Sequence, residues 1–112
     1  IDLAKSVLKN IVVDQDKEVT METILEAVTT HFKVSIEELK SKNRQKEIVV
    51  PRQVAMYLAK QLTDLPLKSI GYHFGGRDHS TVIHAVQTVH DLMEVDKDIR
   101  GSVLDLQRNL GK

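Results

Sequence analysis

Phe74-Gly75-Gly76-Arg77-Asp78-His79-Ser80-Thr81-Val82-Ile83-His84-Ala85 is the stretch on which the reading of this chain turns. Two glycines in a row make a tight corner. A helix then opens with five side chains that can all hydrogen-bond outward, Arg77 to Thr81. A helix start also presents backbone N–H groups with no partner inside the helix, an arrangement suited to an anion. Leu67, Ile70 and Phe74 form an apolar stripe before the corner. The pattern is a helix-turn-helix whose second helix carries a polar tip fit to meet base edges in a major groove.

Working outward, the rest of the chain also reads as helix. Leu3, Ala4, Val7, Leu8 and Ile11 recur at helical spacing and predict a short amphipathic helix over about 2–12. The polar run 14–18 breaks it and reads as a linker. A helix from about Met21 to Phe32 follows, with Thr20 as N-cap. Ser35-Ile-Glu-Glu38 matches a capping box and starts a short helix ending near Ser41. Lys42 to Glu47 reads as a polar loop. Pro51 is placed at the first position of a helix over 51–63, with Val54, Ala55, Leu58 and Leu62 inward. Pro66 marks the next start, and Gly75-Gly76 end that helix. Val82, Ala85, Val86, Val89 and Met93 line the inside of a helix over about 78–94. Ile99, Val103, Leu106 and Leu110 do so for one over about 97–110. Ile48-Val-Val50 is β-prone but stops at a proline. The predicted fold class is all-α.

The 112 residues allow one domain with a modest core. There is no Cys, hence no disulfide framework and no thiolate metal site, which suits a reducing compartment. No apolar run approaches a membrane span. The chain opens on Ile1 without a secretory pattern and reads as a piece of a longer protein that is cytoplasmic and not secreted. Net charge is zero, yet the charges are not evenly spread. Residues 40–60 hold Lys40, Lys42, Arg44, Lys46, Arg52 and Lys60 against Glu47 alone, whereas the first 39 residues hold four lysines against eight acids. Salt limits electrostatic reach to roughly 8–10 Å. A neutral total therefore hides a basic face able to meet phosphates.

Each feature has a plainer reading. A diglycine can be only a helix C-cap, and a lysine-arginine run is usually a solvated surface. Against the first, four polar residues crowd a first turn where one cap would suffice. Against the second, Arg44 and Lys46 have few acids nearby. His73, His79, His84 and His90 are spaced by six, five and six residues, which does not stack ligands on one helix face, so no metal site is expected. Asp78, His79 and Ser80 hold the letters of a catalytic triad, but adjacent helical residues point about 100° apart and cannot relay a proton in line. Gly75-Gly76-Arg77 lacks the lysine and preceding strand of a nucleotide-binding loop. No enzyme is expected and no cofactor.

Ile70-Gly71-x-x-Phe74-Gly-Gly-Arg-Asp-His-Ser-Thr-Val-x-His-Ala85 closely resembles the signature of the DnaA family of bacterial replication initiators, in its C-terminal DNA-binding domain. Pro51-Arg-Gln-Val-Ala-Met-Tyr-Leu58 resembles that domain's long central helix, and the likeness runs from about Met21 to the end. By the resemblance, residues 1–20 are the closing helix of an AAA+ module plus linker, and 21–112 the DNA-binding domain. It implies a double-stranded partner, the asymmetric, AT-rich DnaA box with a CACA-like end. Asp78, His79 and Ser80 would face base edges in the major groove. Thr81 and Arg77 would approach phosphate or flanking bases. Arg44 would enter the minor groove, and Arg52, Gln53, Lys60 and the backbone near Leu67 and Lys68 would hold phosphates. ATP and self-assembly would belong to the absent AAA+ module, and acidic phospholipid could act near the linker. The first helix reads more plainly as an apolar stripe without its AAA+ partner. Ser80 stands where many relatives carry Thr, Asn43 and Val50 where the family is often basic, and Glu47 lies within the basic loop. These departures predict weaker non-specific affinity. Two other readings stay open: an unrelated helix-turn-helix regulator or transposon protein, and an all-α protein-interaction module.

Overall fold

The computed structural model describes residues 19–111, and the predicted first helix and the start of the linker lie outside them. The described residues form six α-helices: α1 Met21–Phe32, α2 Ile36–Lys40, α3 Lys46–Leu62, α4 Leu67–Tyr72, α5 His79–Val95 and α6 Lys97–Gly111. No strand occurs among them, and the all-α fold is as the sequence implies. No helix of the described residues is long and apolar enough to cross a membrane.

Local chemistry fixes the first two helix starts. The Thr20 Oγ1 accepts from the Thr23 N–H at 3.3 Å, and the Thr23 Oγ1 accepts from the Thr20 N–H at 3.0 Å. Ser35 and Glu38 do the same for α2, at 3.0 and 2.9 Å. Each pair satisfies two amides that a helix start leaves without partners.

α3 differs from its expected bounds. It begins at Lys46, with Gln45 as N-cap, so Pro51 sits at the sixth helical position instead of the first. Lys46 and Glu47 are helical, and the loop shrinks to Ser41–Gln45. The reason is burial. Ile48 is 4% exposed and Val50 packs against the core, so an extra turn upstream of the proline removes apolar surface from water. The proline forfeits one bond, that to the Glu47 carbonyl. Glu47 is exposed, so water can satisfy that carbonyl.

α3 is the hub and packs against every other helix. Consequently Val54 to Ala59 are buried all round, including Met56, Tyr57 and Ala59, which helical periodicity alone does not turn inward. Ile24, Val28, Leu39, Ile70, Phe74, Val82, Val89, Val103 and Leu106 complete the core. Leu62, Val86, Met93, Ile99 and Leu110 pack at its edge, half-buried.

Candidate nucleic-acid interface

The corner between α4 and α5 is built by three features. Gly75 and Gly76 have φ of +83° and +79°, the left-handed region that side chains with a Cβ avoid. Phe74, fully buried, pins the turn to the core. Gly71 lets the corner backbone fold back against α4, since a Cβ there would collide with the Arg77 carbonyl. The Arg77 N–H donates back to the Gly71 carbonyl at 3.0 Å and closes the turn.

Asp78 is the N-cap of α5. Its Oδ1 accepts from the Thr81 N–H at 3.0 Å and from the Thr81 hydroxyl at 2.9 Å. These two bonds, the backbone one first, hold the Asp78 carboxyl below its ordinary value. One carboxylate oxygen of Asp78 and the hydroxyl proton of Thr81 are thus committed to the cap. His79 and Ser80 are not: both are exposed, and neither side chain makes a hydrogen bond among the described residues. The polar tip therefore divides into a cap, Asp78 with Thr81, and two exposed, uncommitted side chains, His79 and Ser80.

Arg52 requires a correction. The sequence implies a place against a phosphate, but only 6% of Arg52 is exposed and its guanidinium bonds to the protein's own backbone. Its Nε donates to the Leu39 carbonyl at 2.8 Å. Its Nη2 lies 3.2 Å from the Glu38 carbonyl and 3.0 Å from those of Ser41 and Asn43. α2 ends at Lys40, where the Glu38 carbonyl already accepts from the Ser41 N–H and hydroxyl, and the forked cation from α3 adds a donor for the Leu39 carbonyl and for the loop carbonyls beyond. Arg77 joins this arrangement. It is half-buried and donates to the Ser41 carbonyl at 2.7 Å and to the Phe74 carbonyl. Burial, then the neighbouring Arg77 charge, lowers the Arg52 pKa, and burial lowers that of Arg77.

The loop so held carries Lys42 and Arg44, both exposed. Further bonds stiffen it: the Asn43 N–H donates to Ser41 Oγ at 3.1 Å, and the Gln45 N–H to Asn43 Oδ1 at 2.7 Å. Lys40, Lys42, Arg44, Arg52 and Arg77 line one cleft with Gly75 and Gly76, and no acid lines it. Arg44 therefore stands on the same side as the corner, although far from it in sequence.

Gln53 is half-buried and lines a groove between α3 and α5 with Ser80, Thr81 and His84. Lys60, exposed, lies seven residues further along α3 and so falls on nearly the same stripe. Leu67 and Lys68 open α4 behind Pro66, which supplies no side-chain cap, so their amides lack a helix partner.

One signal in the sequence does betray the role of Arg52. It stands three and seven residues before Ala55 and Ala59, on a buried stripe whose small side chains leave room for a long one. A cation on such a stripe has to find acceptors inside the protein.

Residues 21–89 match the family described as the bacterial dnaA protein helix-turn-helix. Over 110 residues, 98% of this chain, the sequence is 46% identical to the chromosomal replication initiator protein DnaA of Chlorobaculum tepidum. It is 46% identical to that of Geobacter metallireducens and 44% to that of Geobacter sulfurreducens, each again over 98% of this chain. The match covers 22%, 24% and 25% of those three proteins, so the chain spans roughly a quarter of the curated relatives it resembles.

Proposed function

The chain belongs to the bacterial DnaA helix-turn-helix family, and from that premise we propose that it binds a specific duplex, a DnaA box, and so positions an attached AAA+ module at a replication origin. The chain itself is not an enzyme. On this reading residues 1–20 close the AAA+ module and join it to the DNA-binding domain. Assembly between copies is assigned to that module, and any response to acidic phospholipid to the junction.

The observation that carries the reading is the division of labour at the start of α5. His79 and Ser80 are exposed with uncommitted hydrogen-bonding groups, beside a cap that is already complete. An exposed hydroxyl and imidazole on the leading turn of a helix can meet guanine N7 or O6 and other base edges. The second oxygen of Asp78 remains able to accept from cytosine N4. Arg44, on its braced loop, suits a narrow AT-rich minor groove, whose negative potential attracts a guanidinium. Gln53, Lys60 and the first amides of α4 then hold phosphates, which orient the domain without reading sequence. Arg52 shapes the loop, and Arg77 joins loop to corner.

The test is a titration with a DnaA-box duplex against a scrambled duplex at several salt concentrations. The expected result is preference for the box, with log K falling against log salt at a slope near −4.5 for about five neutralised phosphates. Equal affinity for both duplexes overturns the specificity. A slope near zero points instead to a protein-interaction module.

A further inference from the structure

Ile83 is a large apolar side chain held 50% exposed on the outer side of α5. The helix buries Val82, Ala85 and Val89. At 100° per residue, His79, Ser80, Ile83, His84 and Gln87 then form the side turned away from the core. Ile83 follows His79 by four residues and Ser80 by three, so it lies one turn deeper on the same face. Helical side chains lean toward the N-terminus, which brings Ile83 over the turn that carries both readers.

The far end of this face is unsuited to DNA. Gln87 is tied to Asp91, its Nε2 donating to Oδ1 at 3.0 Å. Asp91 and Glu94 are exposed carboxylates that would repel backbone phosphates. The usable part of α5 therefore ends about two turns in. Within it, Ile83 is the one exposed apolar side chain. The major groove offers one apolar base group, the C5-methyl of thymine. Neither His79 nor Ser80 has a methyl to place against it.

We propose that Ile83 is a specificity residue that packs on a thymine methyl beside the bases met by His79 and Ser80. The proposal rests on the major-groove reading of α5. Single exposed apolar residues are common on protein surfaces, so its position on the reading face, not its exposure, carries the assignment.

The experiment replaces each thymine of a DnaA-box duplex in turn with deoxyuridine, which removes the methyl and leaves the pairing edge intact. The native chain is expected to lose about fourfold in affinity at one or two positions, equivalent to roughly 0.8 kcal/mol for one apolar carbon. Ile83→Ala is expected to bind the unmodified box about fourfold more weakly and to be indifferent to uracil at those same positions. Ile83→Val should retain part of the sensitivity. Alanine favours helix more than isoleucine does, so the variant is expected to fold, and circular dichroism checks this. If no thymine is sensitive in the native chain, or if Ile83→Ala keeps the same sensitivity, the assignment is overturned while box binding stands. If the unmodified box is not preferred over a scrambled duplex, the functional reading fails first and the assignment with it.

Discussion

Arg52 and Arg77 donate to the same oxygen, the Ser41 carbonyl, at 3.0 and 2.7 Å. Two like charges are brought together there, and among the described residues neither makes an ion pair. What offsets their repulsion is a set of carbonyl dipoles: Glu38, Leu39 and Asn43 for Arg52, and Phe74 for Arg77. The shared oxygen ties the Arg44 loop to the glycine corner. The Arg44 loop and the leading turn of α5 are thereby held to each other.

Loss of Arg52 is expected to destabilise the fold, not merely to weaken binding. Arg52→Ala leaves the Leu39 and Asn43 carbonyls without a donor, each worth about 1–3 kcal/mol if buried, while Glu38 keeps its Ser41 donors and Ser41 keeps Arg77. A net loss of about 3 kcal/mol should appear in urea unfolding. Arg52→Lys should recover only part, because an ammonium cannot reproduce the fork. Arg44→Ala, on the exposed side of the same loop, is expected to leave stability within about 0.5 kcal/mol and to lower DNA affinity.

The two kinds of glycine at the corner should respond differently. Gly71→Ala drives a Cβ into the Arg77 carbonyl, backbone against backbone, and should cost about 3 kcal/mol. Gly76→Ala meets no atom but keeps a left-handed φ, for which about 1 kcal/mol is expected. Thermal melts of both variants check the order. Equal effects would mean that the backbone approach at Gly71 does not limit the corner.

Asp78 gives the fold a pH dependence of known sign. Its carboxyl is depressed in the folded chain, mainly by the Thr81 N–H. Its contribution is therefore present above the unfolded carboxylate value, about 3.9, and is lost as the pH falls through the folded one. Asp78→Asn keeps an acceptor for the cap, so melting near pH 7 should be close to native while the decline in acid becomes shallower. Asp78→Ala should melt lower at both pH values. Asp78→Asn should also bind scrambled DNA more tightly, because a charge that repels phosphate is gone.

Readers and positioners should separate in one pair of variants. His79→Ala is expected to reduce the preference for a box over a scrambled duplex by roughly 1–3 kcal/mol. Lys60→Ala should weaken both duplexes alike and make the salt slope shallower by about 0.9. Competition titrations at two salt concentrations measure both quantities, and similar behaviour of the two variants would undo the division.

What was legible from sequence followed from short-range chemistry. Thr20 and Ser35 have their partners three residues away, so the starts of α1 and α2 are written locally. Asp78 caps α5 in the same way, and Gly75-Gly76 mark the corner by backbone conformation alone. Pro51 misled because its tolerated places include a helix start, and only the burial of Ile48 and Val50 extends α3 upstream of it. The burial of Met56, Tyr57 and Ala59 is not legible in sequence because helical periodicity assumes one inward face, whereas α3 has neighbours on all sides. Arg52 reads as a surface group in the sequence because a cation close to other cations looks like part of a basic face. Its acceptors lie 9 to 14 positions back in the chain and become visible only when α2 is seated on α3.

The acceptors of Arg52 are neutral carbonyls held in place by the chain, not carboxylates that titrate or mobile counterions. Neither ordinary changes in salt nor pH near neutrality removes them, so the curve of the Ser41–Gln45 loop should persist across conditions that alter phosphate affinity many-fold. Under the proposed function, a change in ionic strength is then expected to alter how tightly the domain holds a duplex while leaving its preference among sequences nearly constant.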